Sequence, residues 1–190
     1  GELQLHYQPQ IDTSERMMEL ETLLRWQHPQ RGMVAPGEFI PLAEETGLIL
    51  PIGLWVLQTA CNLLKAWENS ALHRDIHIAV NVSARQFQQA DFVVQIRSVL
   101  DNSAARATRL KLELTESVVL DNVDDAIQKM TAIKQLGVGF SMDDFGTGYS
   151  SLSYLARLPL DQLKIDRSFV TNLPGKRSDE TIARTIITLG

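Results

Sequence analysis

Ionisable and amide side chains recur in this chain at positions where a β-strand interior would ordinarily be apolar. Glu21 lies in the run Glu-Leu-Glu-Thr-Leu-Leu-Arg-Trp, Asn81 ends Ile-His-Ile-Ala-Val-Asn, and Glu113 sits inside Leu-Lys-Leu-Glu-Leu-Thr. Asp143 and Asp144 close Val-Gly-Phe-Ser-Met-Asp-Asp, and Lys164 lies in Leu-Lys-Ile-Asp. Successive strand residues point to opposite faces. On the first of these runs Glu21, Leu23 and Arg25 share one face, and Leu20, Thr22, Leu24 and Trp26 share the other. Asn81 opposes Ile78, Val80 and Val82; Glu113 opposes Leu112 and Leu114; Lys164 and Asp166 oppose Leu163 and Ile165. One phase of these strands is apolar and the other is polar.

Carboxylates gathered in an interior are costly unless something positive compensates them. Arg25 and Lys164 are too few to offset Glu21, Glu113, Asp143 and Asp144. Divalent cations meet the deficit, and a donor set made only of oxygens selects a hard ion, Mg2+ or Mn2+. An Asn carbonyl suits such an ion and suits zinc poorly. Any one of these residues alone fits a salt bridge or a strand end equally well; the shared phase across five strands is what points to a common site.

The elements that must carry these residues follow from periodicity. Strands are predicted at Leu5 to Ile11, Met18 to Trp26, Ile76 to Val82, Leu110 to Thr115, Val138 to Asp143 and Leu163 to Asp166. Helices are predicted at Phe39 to Thr46, Ile52 to about Trp67, Phe92 to Leu100, after an Asp121 or Asn122 cap up to Gly137, at Tyr149 to Leu158, and from Ser178 or Asp179 onward. In the second helix Leu57, Ala60, Cys61, Leu64 and Trp67 fall on one face; the fourth carries Ala126, Ile127, Met130 and Ile133 on its apolar face, and the last carries Ile182, Ala183, Ile186 and Ile187. Alternating strands and helices predict an α/β fold with a mainly parallel sheet. Only Asp12 to Met17 separates the first two strands, too short for a parallel crossover, so the first strand should run antiparallel to the second. With helices over the apolar phase, the polar phase becomes a barrel interior, and chemistry in such barrels sits at the C-terminal ends of the strands.

Composition narrows the class. The 190 residues favour one domain, and 44% hydrophobic with 22% charged residues is a globular balance. A net charge of −5, with Lys176-Arg177 the only dense basic run, excludes a nucleic-acid polymer as partner through bulk charge. Cys61 is the only cysteine, which excludes an internal disulfide and a cysteine-based zinc site. No signal peptide or membrane span is apparent, so a cytoplasmic location is expected, with tethering of a parent protein through other domains left open.

Seven stretches, in order, resemble the EAL-domain cyclic di-GMP phosphodiesterases. They are Tyr7-Gln8-Pro9; Glu21-Thr22-Leu23-Leu24-Arg25-Trp26 with His28-Pro29; Phe39-Ile40-Pro41-Leu42-Ala43-Glu44; Asn81-Val82-Ser83; Glu113-Leu114-Thr115-Glu116-Ser117; Asp143-Asp144-Phe145-Gly146-Thr147-Gly148-Tyr149-Ser150-Ser151; and Leu158-Pro159-Leu160-Asp161 running into Lys164-Ile165-Asp166. The triplet that names the family is Glu-Thr-Leu here, its altered middle residue on the outer face, and Glu19 stands where Gly is more usual.

The resemblance implies a (β/α)8 TIM-like barrel and hydrolysis of cyclic di-GMP to linear pGpG. It implies that Glu21, Asn81, Glu113 and Asp143 ligate one metal, that Asp143 bridges to a second joined by Asp144, and that Lys164, its pKa lowered by nearby cations, holds the attacking water. Gln8, Leu23 and Arg25 would line the substrate groove, with Arg25 on a phosphate. Glu116 would anchor the loop from Phe145 to Ser151, which links the site to dimerisation. Homodimerisation and fusion to sensory or GGDEF domains follow from the same likeness. A barrel of this type has eight strands and about 250 residues, so the chain reads as residues 1–190 of an EAL domain lacking strands seven and eight. The competing reading is a domain that binds cyclic di-GMP without cutting it.

Overall fold

The computed structural model describes residues 1–145, 155, 157–171, 173, 175 and 177–189, excluding side chains of 177–179, 182 and 189. Its strands are β1 (Leu3–Ile11), β2 (Met17–His28), β3 (Gly32–Val34), β4 (His77–Asn81), β5 (Leu110–Thr115), β6 (Gly139–Phe145) and β7 (Gln162–Ile165). The helices are α1 (Pro36–Thr46), α2 (Ile49–Trp67), α3 (Ala84–Phe87), α4 (Phe92–Ser103), α5 (Glu116–Leu120), α6 (Val123–Gln135), α7 (Arg167–Val170) and α8 (Arg177–Leu189). The helix expected at Tyr149 to Leu158 lies largely outside the described residues.

One sheet runs in the order β1-β2-β4-β5-β6-β7, with β3 paired to β2. β1 pairs antiparallel with β2, as the short connection requires, and the pairs from β2/β4 to β6/β7 are parallel. The sheet is an unclosed barrel. Six strands were expected and seven are present among the described residues: β3 escapes the periodic pattern because three residues carry no alternation, and it pairs back on β2 from Gly32, whose φ of +70° favours glycine. The short helices α3, α5 and α7 escape for the same reason.

The apolar phase of the strands meets the helices. Ile78, Val80, Leu110, Leu112, Leu114, Phe140 and Met142 join Leu57, Ala60, Cys61, Phe92, Ile96, Met130 and Ile133 in one core. Helix α2 is long and apolar enough to span a membrane by composition; here it packs against α4 and β4 with Leu57, Ala60 and Cys61 fully buried. Burial pushes the Cys61 thiol up to about 12, which keeps it protonated and unreactive. Helix α6 starts at an Asn122 cap, whose side chain accepts from the Asp125 N–H, and stops before Gly137 at φ +96°. In α8, Ala183 and Ile186 are buried but Ile187 is exposed, so the apolar stripe is narrower than its sequence suggests.

The altered triplet has a local explanation. Thr22 is buried on the outer face of β2, and its hydroxyl donates to the Ala79 carbonyl of β4 at 2.7 Å. A buried hydroxyl with a partner is tolerated where an unpartnered one is not.

Candidate metal centre

β2, β4, β5, β6 and β7 each deliver one predicted residue to the barrel interior: Glu21, Asn81, Glu113, Asp143 and Lys164. Parallel register sets the heights. Asn81 lies beside Glu113, and Thr115 beside Asp143, near the C-terminal strand ends. Glu21, Glu113 and Asp143 each offer a carboxylate oxygen, and the three lie within 4.8 Å of one another. Asn81 Nδ2 donates to Glu21 Oε1 at 3.2 Å. Lys164 Nζ reaches all three acids: Glu21 Oε2 at 2.9 Å, Glu113 Oε1 at 2.8 Å and Asp143 Oδ2 at 3.3 Å.

Three carboxylates against one ammonium leave the cluster acidic. Glu113, 1% exposed, feels this most. Burial pushes its carboxyl up to about 7; Lys164 opposes the shift, and Glu21 and Asp143 add to it. For Lys164, burial pulls the ammonium down, but Glu113, Glu21 and Asp143 outweigh it and hold its pKa above the usual lysine value. An all-oxygen donor set drawn from four strands, short of positive charge, fits a hard divalent cation.

Asp144 reaches the same mouth by a route that alternation does not predict. Between Met142 and Phe145, β6 takes three steps while β7 takes two, from Leu163 to Ile165. This one-residue bulge places Asp144 at φ +53°. Consecutive residues Asp143 and Asp144 therefore lie in one electrostatic neighbourhood. Burial raises the Asp144 carboxyl, Asp143 and Asp166 raise it further, and Lys164 opposes. Asp166, the cap of α7, shares a hydrogen bond with Asp144.

The remaining predicted residues are more dispersed. Gln8 is exposed on β1, directly opposite Glu21 in register. Leu23 and Arg25 line a cavity of about 240 Å³ with Asn81, Ser83 and Gln86. Arg25 donates to the Leu24 carbonyl at 2.9 Å. Glu116 is buried at the first position of α5; the loop it was expected to anchor, with Gly146 and Gly148, lies outside the described residues. A cavity of about 560 Å³ between Trp26, Phe39 and Trp55 is mostly apolar and is lined by none of Glu21, Glu113 and Asp143.

Two polar residues of the interior, Lys111 and Gln162, were missed, and Glu19 was noted without a role. Lys111 forms an ion pair with Glu19 and donates to Gln162 Oε1 at 2.7 Å. They sit two residues before Glu113, Glu21 and Lys164, in the same phase. The signal was therefore present in the sequence, as a second polar position on each of three strands.

A model of the EAL domain family matches residues 1–190. The bifunctional diguanylate cyclase/cyclic di-GMP phosphodiesterase MucR of Pseudomonas aeruginosa is 46% identical over 190 residues, covering 100% of this chain and 28% of that protein. The cyclic di-GMP phosphodiesterase NbdA of the same species is 42% identical, covering 99% of this chain and 24% of that protein. The chain thus spans about a quarter of the length of these curated relatives. A solved MucR phosphodiesterase in complex with c-di-GMP superposes with a TM-score of 0.94 at 46% identity, covering 100% of this chain and 76% of that one.

Proposed function

The chain belongs to the EAL domain family, and from that membership we propose that it hydrolyses one phosphodiester bond of cyclic di-GMP to give linear pGpG. The observation that carries the reading is the convergence of Glu21, Glu113 and Asp143, from three strands, to within 4.8 Å. Glu21, Asn81, Glu113 and Asp143 would hold one divalent cation, and Asp143 with Asp144 would hold a second, Mg2+ or Mn2+. Bound cations supply Lewis-acid activation of water and charge neutralisation at the phosphoryl oxygens.

The chain's own groups do the positioning. Lys164 Nζ, whose three N–H groups are directed at Glu21, Glu113 and Asp143, turns one of them to the attacking water and orients it. Arg25 pairs with a phosphate of the dinucleotide, where a guanidinium binds in two-pronged fashion. Leu23 gives the groove an apolar wall, and Gln8 faces the ligand from β1. Glu116 anchors the loop that follows β6. The same proposal carries a homodimer, fusion to sensory or GGDEF domains in the parent protein, and action in the cytoplasm.

The test is incubation with cyclic di-GMP and Mg2+ or Mn2+, followed by nucleotide chromatography. Metal-dependent appearance of pGpG is the expected result. Binding without product makes the domain a cyclic di-GMP sensor, and neither binding nor product overturns both readings.

A further inference from the structure

Glu19, Lys111 and Gln162 occupy the barrel interior one layer below the acid cluster. Glu19 is 4% exposed, and the Lys111 side chain is 17% exposed. Lys111 forms the ion pair with Glu19 and donates to Gln162. These contacts join β2, β5 and β7, none of which neighbours another in the sheet. Lys164 joins β2, β5 and β7 again, two residues further along each strand. Two strand residues span about 6.7 Å, so the lower contacts set the spacing of the strands directly beneath the carboxylates.

The sequence makes room for this layer. Ala79 on β4 lies in register with both Glu21 and Lys111, and its small side chain leaves the path between β2 and β5 clear. At Gly139 a Cβ would sit 3.2 Å from Asp161 Oδ2, a tight approach, and 3.6 Å from Lys111 Cγ, an ordinary contact.

Building on the function proposed above, we infer that Glu19, Lys111 and Gln162 are positioning residues: they hold β2, β5 and β7 at the separation at which Glu21 and Glu113 can share a divalent cation. The pair is neutral, so it acts through spacing and not through charge. That distinction is testable because the two effects differ. Lys111→Met removes a positive charge; by charge alone this tightens cation binding if Glu19 stays anionic and leaves it unchanged if Glu19 takes up a proton. By spacing it loosens the strands and weakens binding.

The experiment is calorimetric titration of the protein with Mn2+, with kcat and KM for cyclic di-GMP measured on the same samples. Lys111→Met is expected to weaken Mn2+ binding by about 10- to 100-fold, the usual effect of losing a group that supports metal ligands, and to lower kcat more than it raises KM. Combining Glu19→Lys with Lys111→Glu restores the pair in reverse and is expected to recover most of the affinity. Unchanged or tighter Mn2+ binding by Lys111→Met, or no recovery in the reversed pair, overturns the inference. If Lys111→Met does not fold, Glu19→Gln with Lys111→Met leaves no buried ion, carries the same expectation and decides the matter. Wild-type protein that binds no Mn2+ sinks the functional reading itself; wild-type binding with an unaffected variant sinks only the positioning role.

Discussion

Inside the barrel, the layer of Glu19, Lys111 and Gln162 and the layer of Glu21, Glu113, Asp143 and Lys164 share strands and stand two residues apart, yet only the lower one balances its charge. One carboxylate meets one ammonium below; three meet one above. A balanced buried pair contributes geometry. An unbalanced cluster stores a demand for cations, and its cost is visible in the Glu113 carboxyl, which burial pushes up to about 7. Side chains of similar chemistry, placed 6–7 Å apart (about two strand residues), thus serve opposite ends.

The contrast can be broken most severely at Glu21. Glu21→Ala is expected to remove metal-dependent turnover, a loss of more than about 100-fold, in a protein that still folds by circular dichroism; activity near wild type ends the ligand assignment. Lys164→Met should separate affinity from catalysis. It removes the only cation bonded to Glu21, Glu113 and Asp143 among the described residues, so Mn2+ binding by calorimetry should tighten while pGpG production falls by about 100-fold or more. A parallel fall in both would mean that Lys164 props up the acids as Lys111 props up the strands.

Outside both layers the effects shrink. Thr22→Ala gives the usual family triplet and deletes the hydrogen bond to Ala79; urea unfolding should show a loss of about 1 kcal/mol with turnover unchanged. The smallest effect belongs to Asp161, which accepts from the Phe140 N–H at 2.7 Å and pairs with Lys134. Burial raises its carboxyl, but Lys134 and the Phe140 N–H outweigh it, so the folded value lies below the usual one. A depressed folded value gives stability that is complete above the unfolded pKa, about 3.9, and is lost as pH falls through the folded one. The difference in urea midpoint between wild type and Asp161→Asn should therefore be constant near neutrality and vanish in acid; a gap that widens below pH 4 reverses the assignment.

Much of this arrangement is legible in the primary structure. Alternation alone put Glu21, Asn81, Glu113, Asp143 and Lys164 in one phase, and they converge in space. The antiparallel β1 followed from a six-residue connection, and the α2 and α6 core faces from 3.6-residue periodicity. What alternation could not give was the lower layer's partnership, because Lys111 and Glu19 are 92 residues apart in the chain and their pairing depends on register across β4. Nor could it give β3, which has too few residues to show a period. The reach of Arg25 was also beyond it, since a strand phase says which way a side chain leaves the backbone and not what its far end meets.

Asp144 shows the limit of the rule and what lies past it. The extra residue between Met142 and Phe145 lets one strand present two neighbouring acids to the same mouth. Removing that residue would even out the ladder against β7 and leave a single acid at the mouth, opposite Lys164. Adding another would carry Phe145 out of the core, where it is now 4% exposed. In this strand the count of residues, and not only their identity, decides how many carboxylates reach the acid cluster.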